Sequence, residues 1–463
     1  STLENLFANE IAAAVAGTFV RGDLNAPCTG IATDTRAIRP GDLFFALKGE
    51  KSDGHAYVPR AIEAGASGVV VSDTDVVPPG TDAFVVRVDD PLWALGDLAA
   101  HYRNKFDVKV VGVTGSVGKT TTKEMLASIL DRKWKVLRNE ANFNNEIGLP
   151  LTLFKLEPAH HVVILEMGMR GLGEIRRLAE IARPSVGVIT NIGISHIERL
   201  GSQGAIADAK GELLEELPAD GTAVMNAEDG YFVVLKHRFP GKVVSFGSCR
   251  GADIVGARIK THDSGCRFVL MATGGGAIEI DMPVLGAHNV YNALAASGAA
   301  IALGVDLYTI RDGLENVPPS SMRMELLKSG SGVSILNDAY NASPSSMLAA
   351  LRTLGGLSAQ KRRIAVLGDM LELGEIGPKS HRDIGIALAS GSVDLLVTVG
   401  PLAGLIAEGA VEAGFPGDMV RSFENSPEAA LALRSETVDG DTVLVKGSRS
   451  MKMEEIVKVL LDG

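Results

Sequence analysis

At 463 residues, 46% of them apolar and 22% charged, the chain is too long for one compact core and predicts about two to four soluble globular domains. Its net charge of −11 excludes nucleic acid as a partner held by bulk electrostatics, so an anionic substrate must be met by local Lys and Arg. No stretch approaches the ~20 apolar residues that cross a bilayer, so no stable membrane insertion is expected.

The N-terminal STLENLFANEI has Glu4 and Glu10 and no basic segment, unlike a signal peptide. Cys28, Cys249 and Cys266 are scattered and odd in number, which fits a reducing cytoplasm rather than a disulfide framework or a zinc site. Residues 1–85 alternate short strand candidates (FFALKGEKSDGH, GVVVSD, AFVVRV) with turns such as VPPGTD, and predict a small α/β domain.

From residue 86 to 317 the pattern changes. VKVVGV is a continuous apolar run, as expected of a parallel strand buried on both faces. HVVIL and VGVIT repeat it, with helical patterns such as GLGEIRRLAEIA between, which predicts a doubly wound parallel sheet. Residues 253–281 contain three short strand candidates, read as an antiparallel flap on this domain, and Ala293–Val305 reads as a tightly packed helix. NVPPSSM is a hinge candidate. From residue 318 to 463, VSILND, RRIAVLGD, DLLVTVG and DTVLVKG predict a third, Rossmann-like α/β domain.

The strand VVGV runs into TGSVGKTTT and then the helix TKEMLASIL. This is the order of a phosphate cradle, and it implies ATP. Gly115 and Gly118 let backbone N–H groups turn inward, with Ser116 and Val117 between them. Lys119 reaches phosphate, the Thr120 hydroxyl suits Mg2+, and Thr121 continues the helix N-terminus. The strict motif asks for glycine where this chain has Val113. Glu166 ends HVVIL and His196 follows VGVIT by six residues, so both belong at the carboxyl ends of strands, where ligands gather. They are candidate metal ligands beside Thr120. Lys210, among acidic neighbours on a helix, reads by spacing alone as a solvated lysine.

The ordered motifs TDTRAIRPGDLFFALKGEKSDGHAY, TGSVGKTTTKE, NFNNEIGLPLTL, LEMGMRGLGEI, ARPSVGVITNIGISHIERLGS, AKGE, GAHNVYNALAA, NDAYNASPSSM, VLGDMLELG and KGSRSMKME resemble the Mur ligases of peptidoglycan synthesis over nearly the whole chain. The loop alone is shared with folylpolyglutamate synthases. EMGMRGLGEI and NDAYNASP resemble the branch that joins D-alanyl-D-alanine to UDP-MurNAc-tripeptide.

The resemblance implies a UDP-binding domain, a central P-loop-type ATPase domain and a closing C-terminal domain in a monomeric cytoplasmic enzyme. It also implies that Thr120, Glu166 and His196 surround Mg2+, that Lys210 is carbamylated and bears on a second Mg2+, and that Lys119 acts on the phosphates. Asn289 and Asn292 would flank adenine, Arg323 would reach the phosphates, and Asp338 would bind the ribose. Asp34, Thr35, Arg36 and Lys48 would lie near the UDP-sugar, and Asn142, Asn145, Tyr340 and Asn341 near the peptide substrates. Residues of VLGDMLELG and KGSRSMK would lie near the dipeptide. Thr33 and Thr35 stand where relatives often carry serines, and keep the hydroxyl.

The implied chemistry needs such a site. A carboxylate becomes an acyl donor when phosphorylated, but it must approach a polyanion. Each like-charge pair at ~4 Å costs about 4 kcal/mol at an effective dielectric of ~20. Lys119, Mg2+ and Arg323 would offset that repulsion, and a closing domain would exclude water from the acyl phosphate. A sister ligase with another acceptor, and a nucleotide-dependent scaffold of wall synthesis, are the competing expectations.

Overall fold

The computed structural model describes residues 3, 6–49, 52–140 and 143–462. Three large sheets follow one another along the chain. The first has five strands in the order Thr18–Arg21, Phe84–Arg87, Gly68–Val71, Asp42–Phe45, Gly30–Ala32. Only its Thr18–Arg21 edge is antiparallel. The division expected after residue 85 falls inside the strand Phe84–Arg87, which pairs in register along Gly68–Val71. Ladder hydrogen bonds make that strand a single piece of the first sheet.

The middle sheet has nine strands. Val162–Glu166 and Val186–Ile189 flank Lys109–Thr114 in parallel. Val136–Arg138 lies outside the first of these, and Thr222–Asn226 and Lys242–Gly247 lie outside the second. Chain order therefore reverses at Lys109–Thr114, and ligands collect in the crevice at such a switch point. The expected flap is a continuation of this sheet. Ile254–His262 pairs in parallel with Lys242–Gly247, and Gly265–Ala272 and Gly276–Met282 add antiparallel edge strands.

The third sheet runs Glu325–Lys328, Ser334–Asn337, Thr442–Lys446, Arg363–Gly368, Leu395–Val399, Val420–Phe423, parallel except for its first pair. The four strand runs read from the sequence in this region are its four interior strands, buried and rich in Val, Leu and Ile.

One helix ties the first two sheets together, and another packs closely on the middle one. Pro91–Arg103 starts at the Asp90 cap, whose carboxylate accepts from Leu92 and Trp93 N–H. It buries Leu95, Leu98 and Tyr102 in one apolar cluster that holds Phe45, Val70 and Phe84 of the first sheet and Val163 and Leu165 of the middle one. The first two sheets thus share a core rather than meeting through a polar linker. The other helix, His288–Ala302, has its Ala/Gly-rich stretch Ala293–Ala300 buried. A Cβ on Gly298 would come 2.9 Å from Val224 Cγ1, so the small residues are what allow this close approach to the sheet. The amphipathic run GLGEIRRLAEIA becomes the helix Glu174–Ala182, beginning only after Gly173 (φ 87°) and burying Ile175, Leu178, Ile181 and Ala182. No helix among the described residues is long and apolar enough to cross a membrane.

Candidate active site

The phosphate loop leaves the strand Lys109–Thr114 and enters the helix Lys119–Leu130. Val113, the departure from the strict motif, is a fully buried strand residue paired with Glu166. The turn begins instead at Gly115 (φ 146°), where a Cβ would lie 1.9 Å from Thr190 Oγ1. Gly118 caps the helix at φ 89°, and a Cβ there would lie 2.2 Å from Asn292 Oδ1. Asn191 splints the loop from the neighbouring strand end. Its Oδ1 accepts Val117 N–H at 3.1 Å, and its Nδ2 donates to Val117 O at 2.8 Å.

Ser116, Val117, Gly118, Lys119, Thr120 and Thr121 line a cleft of about 1170 Å³ between the middle and third sheets, whereas Gly115 shapes the turn behind it. Lys119 Nζ donates to Gly115 O at 2.9 Å. Burial holds its pKa below the usual lysine range; Glu166 opposes that shift and Arg323 adds to it, so both charges stand near the lysine.

Thr120 Oγ1 donates to Glu166 Oε2 at 2.6 Å, and Asn144 Nδ2 donates to Glu166 Oε1 at 2.9 Å. Both carboxylate oxygens are therefore engaged at the cleft wall, where Glu166 is 3% exposed. Asn139 holds the Glu166 backbone on both sides, accepting its N–H and donating to its carbonyl, and Lys123 Nζ in turn donates to Asn139 O.

Lys210 departs from the solvated reading. On the helix Gln203–Glu215 it is 2% exposed and faces the cleft. The acidic neighbours that suggested a wet face lie on other sides: Asp208 pairs with Arg238, and Glu212 accepts from Gly173 and Arg176 N–H. Burial first, then the positive charge of Lys119, push the Lys210 pKa well below the ordinary lysine value. His196, also on the cleft, has φ 67° and its Nδ1 2.6 Å from Glu372 Oε2. Burial lowers its pKa; Glu372 acts against that shift, while Lys119 and Lys210 add to it.

The third sheet supplies the opposite wall. Arg323 stacks 3.8 Å over the Tyr340 ring, and both line the cleft. Asp338 accepts from Lys446 Nζ and from Met324 N–H, and Lys446 also donates to Asn341 O at 2.9 Å. Asn289 and Asn292 sit in the first turns of the helix His288–Ala302, where Asn292 Nδ2 donates to Asn289 Oδ1 at 2.8 Å. Next to them His288 is pushed down to about 4 by burial, which the Asp338 charge opposes and Lys446 reinforces.

Asn145 also lines the cleft, its Oδ1 accepting Ile147 and Gly148 N–H. Asn142 lies outside the described residues. Asp34, Thr35, Arg36 and Lys48 do not line this cleft. Asp34 caps the short turn Thr35–Ala37 and pairs with Arg36 at 2.6 Å, and Lys48 bridges Asp53 through the backbone.

The sequence assigns no individual role to Asn139, Asn144, Asn191, Glu372 or Lys446, although Glu372 lies in VLGDMLELG and Lys446 in KGSRSMK, the motifs expected near the dipeptide. Asn191 was within reach of the strand-end rule that selected Glu166 and His196. Asn144 stands between two chosen asparagines, while Asn139, Glu372 and Lys446 carry no local signal of what they contact. Among the described residues no group of three or more His, Cys, Asp or Glu side chains is placed to hold a metal ion.

A phosphate loop at a switch point, faced across a cleft by an arginine and a lysine from a separate sheet, is the plan of an enzyme that uses ATP to activate a substrate between two units. Family comparisons narrow this class. The profile described as "Mur ligase family, catalytic domain" matches residues 27–103, "Mur ligase middle domain" residues 113–300, and "Mur ligase, glutamate ligase domain" residues 322–449. The UDP-N-acetylmuramoyl-tripeptide–D-alanyl-D-alanine ligase of Bacillus subtilis is 39% identical over 94% of this chain and 93% of its own. Its Synechocystis counterpart is 40% identical over 93% and 91%. A crystal structure of MurF from Acinetobacter baumannii superposes with a TM-score of 0.91 at 32% identity, covering 100% of both chains. MurF from Thermotoga maritima in complex with ADP gives 0.82 at 26%, over 93% of this chain and 97% of that one. The chain belongs to the Mur ligase family, whose members are ATP-dependent ligases that form amide bonds.

Proposed function

We propose that the protein joins D-alanyl-D-alanine to UDP-MurNAc-tripeptide, consuming ATP and releasing ADP and phosphate. The observation that carries this reading is the cleft itself, which sets Lys119 and the phosphate loop opposite Arg323, in a chain that aligns nearly end to end with ligases of that name.

The tripeptide carboxylate attacks the γ-phosphorus of ATP, giving an acyl phosphate and ADP. The dipeptide amine then attacks the acyl carbon, phosphate leaves, and the amine loses a proton. Lys119 and Arg323 offset the repulsion of the first step from opposite walls. Asn289 and Asn292 flank the adenine, and Asp338 takes the ribose in place of its Lys446 contact. Asn145, Tyr340 and Asn341 lie toward the peptide substrates, with Asn142 assigned there from its motif, while Asp34, Thr35, Arg36 and Lys48 serve the UDP-sugar on the first sheet.

The donor chemistry at the cleft fits Mg2+. The Thr120 hydroxyl and Glu166 carboxylate are hard oxygen ligands set side by side, and one or two such groups leave most positions for water and phosphate, as this ion prefers. Thr120, Glu166 and His196 would hold it, a carbamylated Lys210 would bear on a second such ion, and the metal would neutralise phosphate charge. A neutral, buried Lys210 amine is the form that combines with CO2 to give a carbamate.

The same reading has three units, divided just past the strand Phe84–Arg87 and after residue 317, in a monomeric cytoplasmic enzyme. Phosphate release from ATP with each substrate alone and with both together tests it. Release that needs both supports the reading, and turnover indifferent to them overturns it.

A further inference from the structure

The loop that carries His196 is gripped by the third sheet. Ile194 packs against that unit's apolar core. Gly374, at φ 52°, comes so close to Glu198 that a Cβ would meet three of its carbons at 3.2–3.4 Å. Between these contacts His196 Nδ1 meets Glu372 Oε2 at 2.6 Å. His196 and Glu372 both occupy the left-handed region, at φ 67° and 62°, which a non-glycine residue adopts only under strain. Strain of this kind persists where the surroundings over-determine it, and such places cluster at functional sites.

Nδ1 of His196 is buried and has no aligned hydrogen-bond partner among the described residues. The Glu372 carboxylate stands within ion-pair reach of it, at 2.6 Å. A histidine ligand works as one tautomer, which is set by the bond its other nitrogen makes.

We propose that Glu372 is a positioning residue for the nucleotide site: by accepting the Nδ1 proton of His196 it fixes the imidazole tautomer and leaves Nε2 unprotonated for the cleft. Because Glu372 belongs to the third sheet and His196 to the middle one, this orientation exists only while the two units are docked. The C-terminal unit then does more than cover the nucleotide, since it sets a side chain of the opposite wall. The inference rests on the functional reading above for what the histidine holds, and on the geometry alone for what holds the histidine.

The test combines a double-mutant cycle with two readouts independent of turnover. E372A is expected to lower kcat by about 10- to 100-fold and to weaken Mn2+ binding to the ADP-bound protein, followed by electron paramagnetic resonance, by a similar factor. On an H196N background the same change should cost less than twofold, because Glu372 acts through His196. In metal-free protein labelled with 15N-histidine, the His196 signals should show Nδ1 protonated in the wild type and lose that preference in E372A. E372Q, which keeps an acceptor, should retain the tautomer and most of kcat, and E372M, which fills the space without an acceptor, carries the test if E372A proves unstable. Unchanged Mn2+ affinity and tautomer in E372A, or an equal loss on the H196N background, overturns the proposal. A wild type with no D-alanyl-D-alanine-dependent turnover overturns the functional reading instead, and the spectroscopic comparison still decides the role of Glu372.

Discussion

Thr120 Oγ1 donates to Glu166 Oε2 at 2.6 Å, joining the first turn of the loop helix to the end of the adjacent strand. A hydrogen bond to a charged acceptor contributes about 1.5–3 kcal/mol, so the pair rigidifies the loop as well as offering two oxygens to a cation. Glu166→Gln keeps the shape and removes the charge. It should lower kcat/KM by about 100-fold or more while leaving the fold intact. Steady-state kinetics with circular dichroism as a fold control checks this, and a loss below threefold would remove Glu166 from the chemistry.

Gly118 offers a test of loop geometry that is independent of the acceptor. Its φ of 89° and the 2.2 Å approach of Asn292 Oδ1 leave no room for a methyl group. Gly118→Ala should weaken ADP binding by at least about tenfold, since roughly 1.4 kcal/mol of strain at the binding loop suffices for that. Calorimetric titration measures it. Asn292→Ser in the same chain should recover only part of the loss, because the left-handed backbone remains strained.

The burial of Lys210 sets a pH signature. A lysine whose folded pKa lies below its unfolded value of ~10.4 binds fewer protons folded than unfolded between the two values, so stability rises with pH across that window. Below the folded pKa the penalty for the buried charge is complete. Lys210→Met should therefore flatten the rise in thermal midpoint as the pH climbs toward the unfolded lysine value, and cut turnover by about 100-fold. Lys210→Ala should lose similar activity and recover part of it with added short carboxylic acids that stand in for a carbamate. Full activity in either variant would take the carbamate out of the mechanism.

The cysteines divide by burial. Cys28 and Cys266 are buried, and burial raises their thiols to about 12 and about 11, whereas Cys249 is partly exposed. The reactive species is the thiolate, so a thiol reagent at pH 8 should label one cysteine per chain at least tenfold faster than the others. Peptide mapping should place that label on Cys249.

Much of this architecture was legible from periodicity. VKVVGV, HVVIL and VGVIT are adjacent strands of the middle sheet, as continuous apolar runs suggest. The phosphate loop was legible from glycine spacing despite Val113, because the turn that needs glycine starts two residues later. Lys210 was misread by spacing, since a charge pattern along one helix does not reveal what packs over it. The contacts of Glu372 and Lys446 were invisible for a related reason, although their motifs were expected near the dipeptide. Each acts across more than a hundred residues of sequence: Glu372 reaches His196 only when the middle and third sheets dock, and Lys446 meets Asp338 only when their two strands pair in the third sheet. The first division was misplaced because VPPGTD marks a turn within a sheet, and the strand Phe84–Arg87 returns to that sheet after it.

The most direct test of the central claim is product analysis in a substrate matrix. UDP-MurNAc-dipeptide, tripeptide and tetrapeptide are each crossed with D-alanyl-D-alanine and with single amino acids in the presence of ATP, and the products are weighed by mass spectrometry. The account expects one productive cell, tripeptide with D-alanyl-D-alanine, giving the sum of the two masses less one water and one ADP per product. A product formed instead with a single amino acid, or no condensation in any cell while ATP is bound, would contradict it.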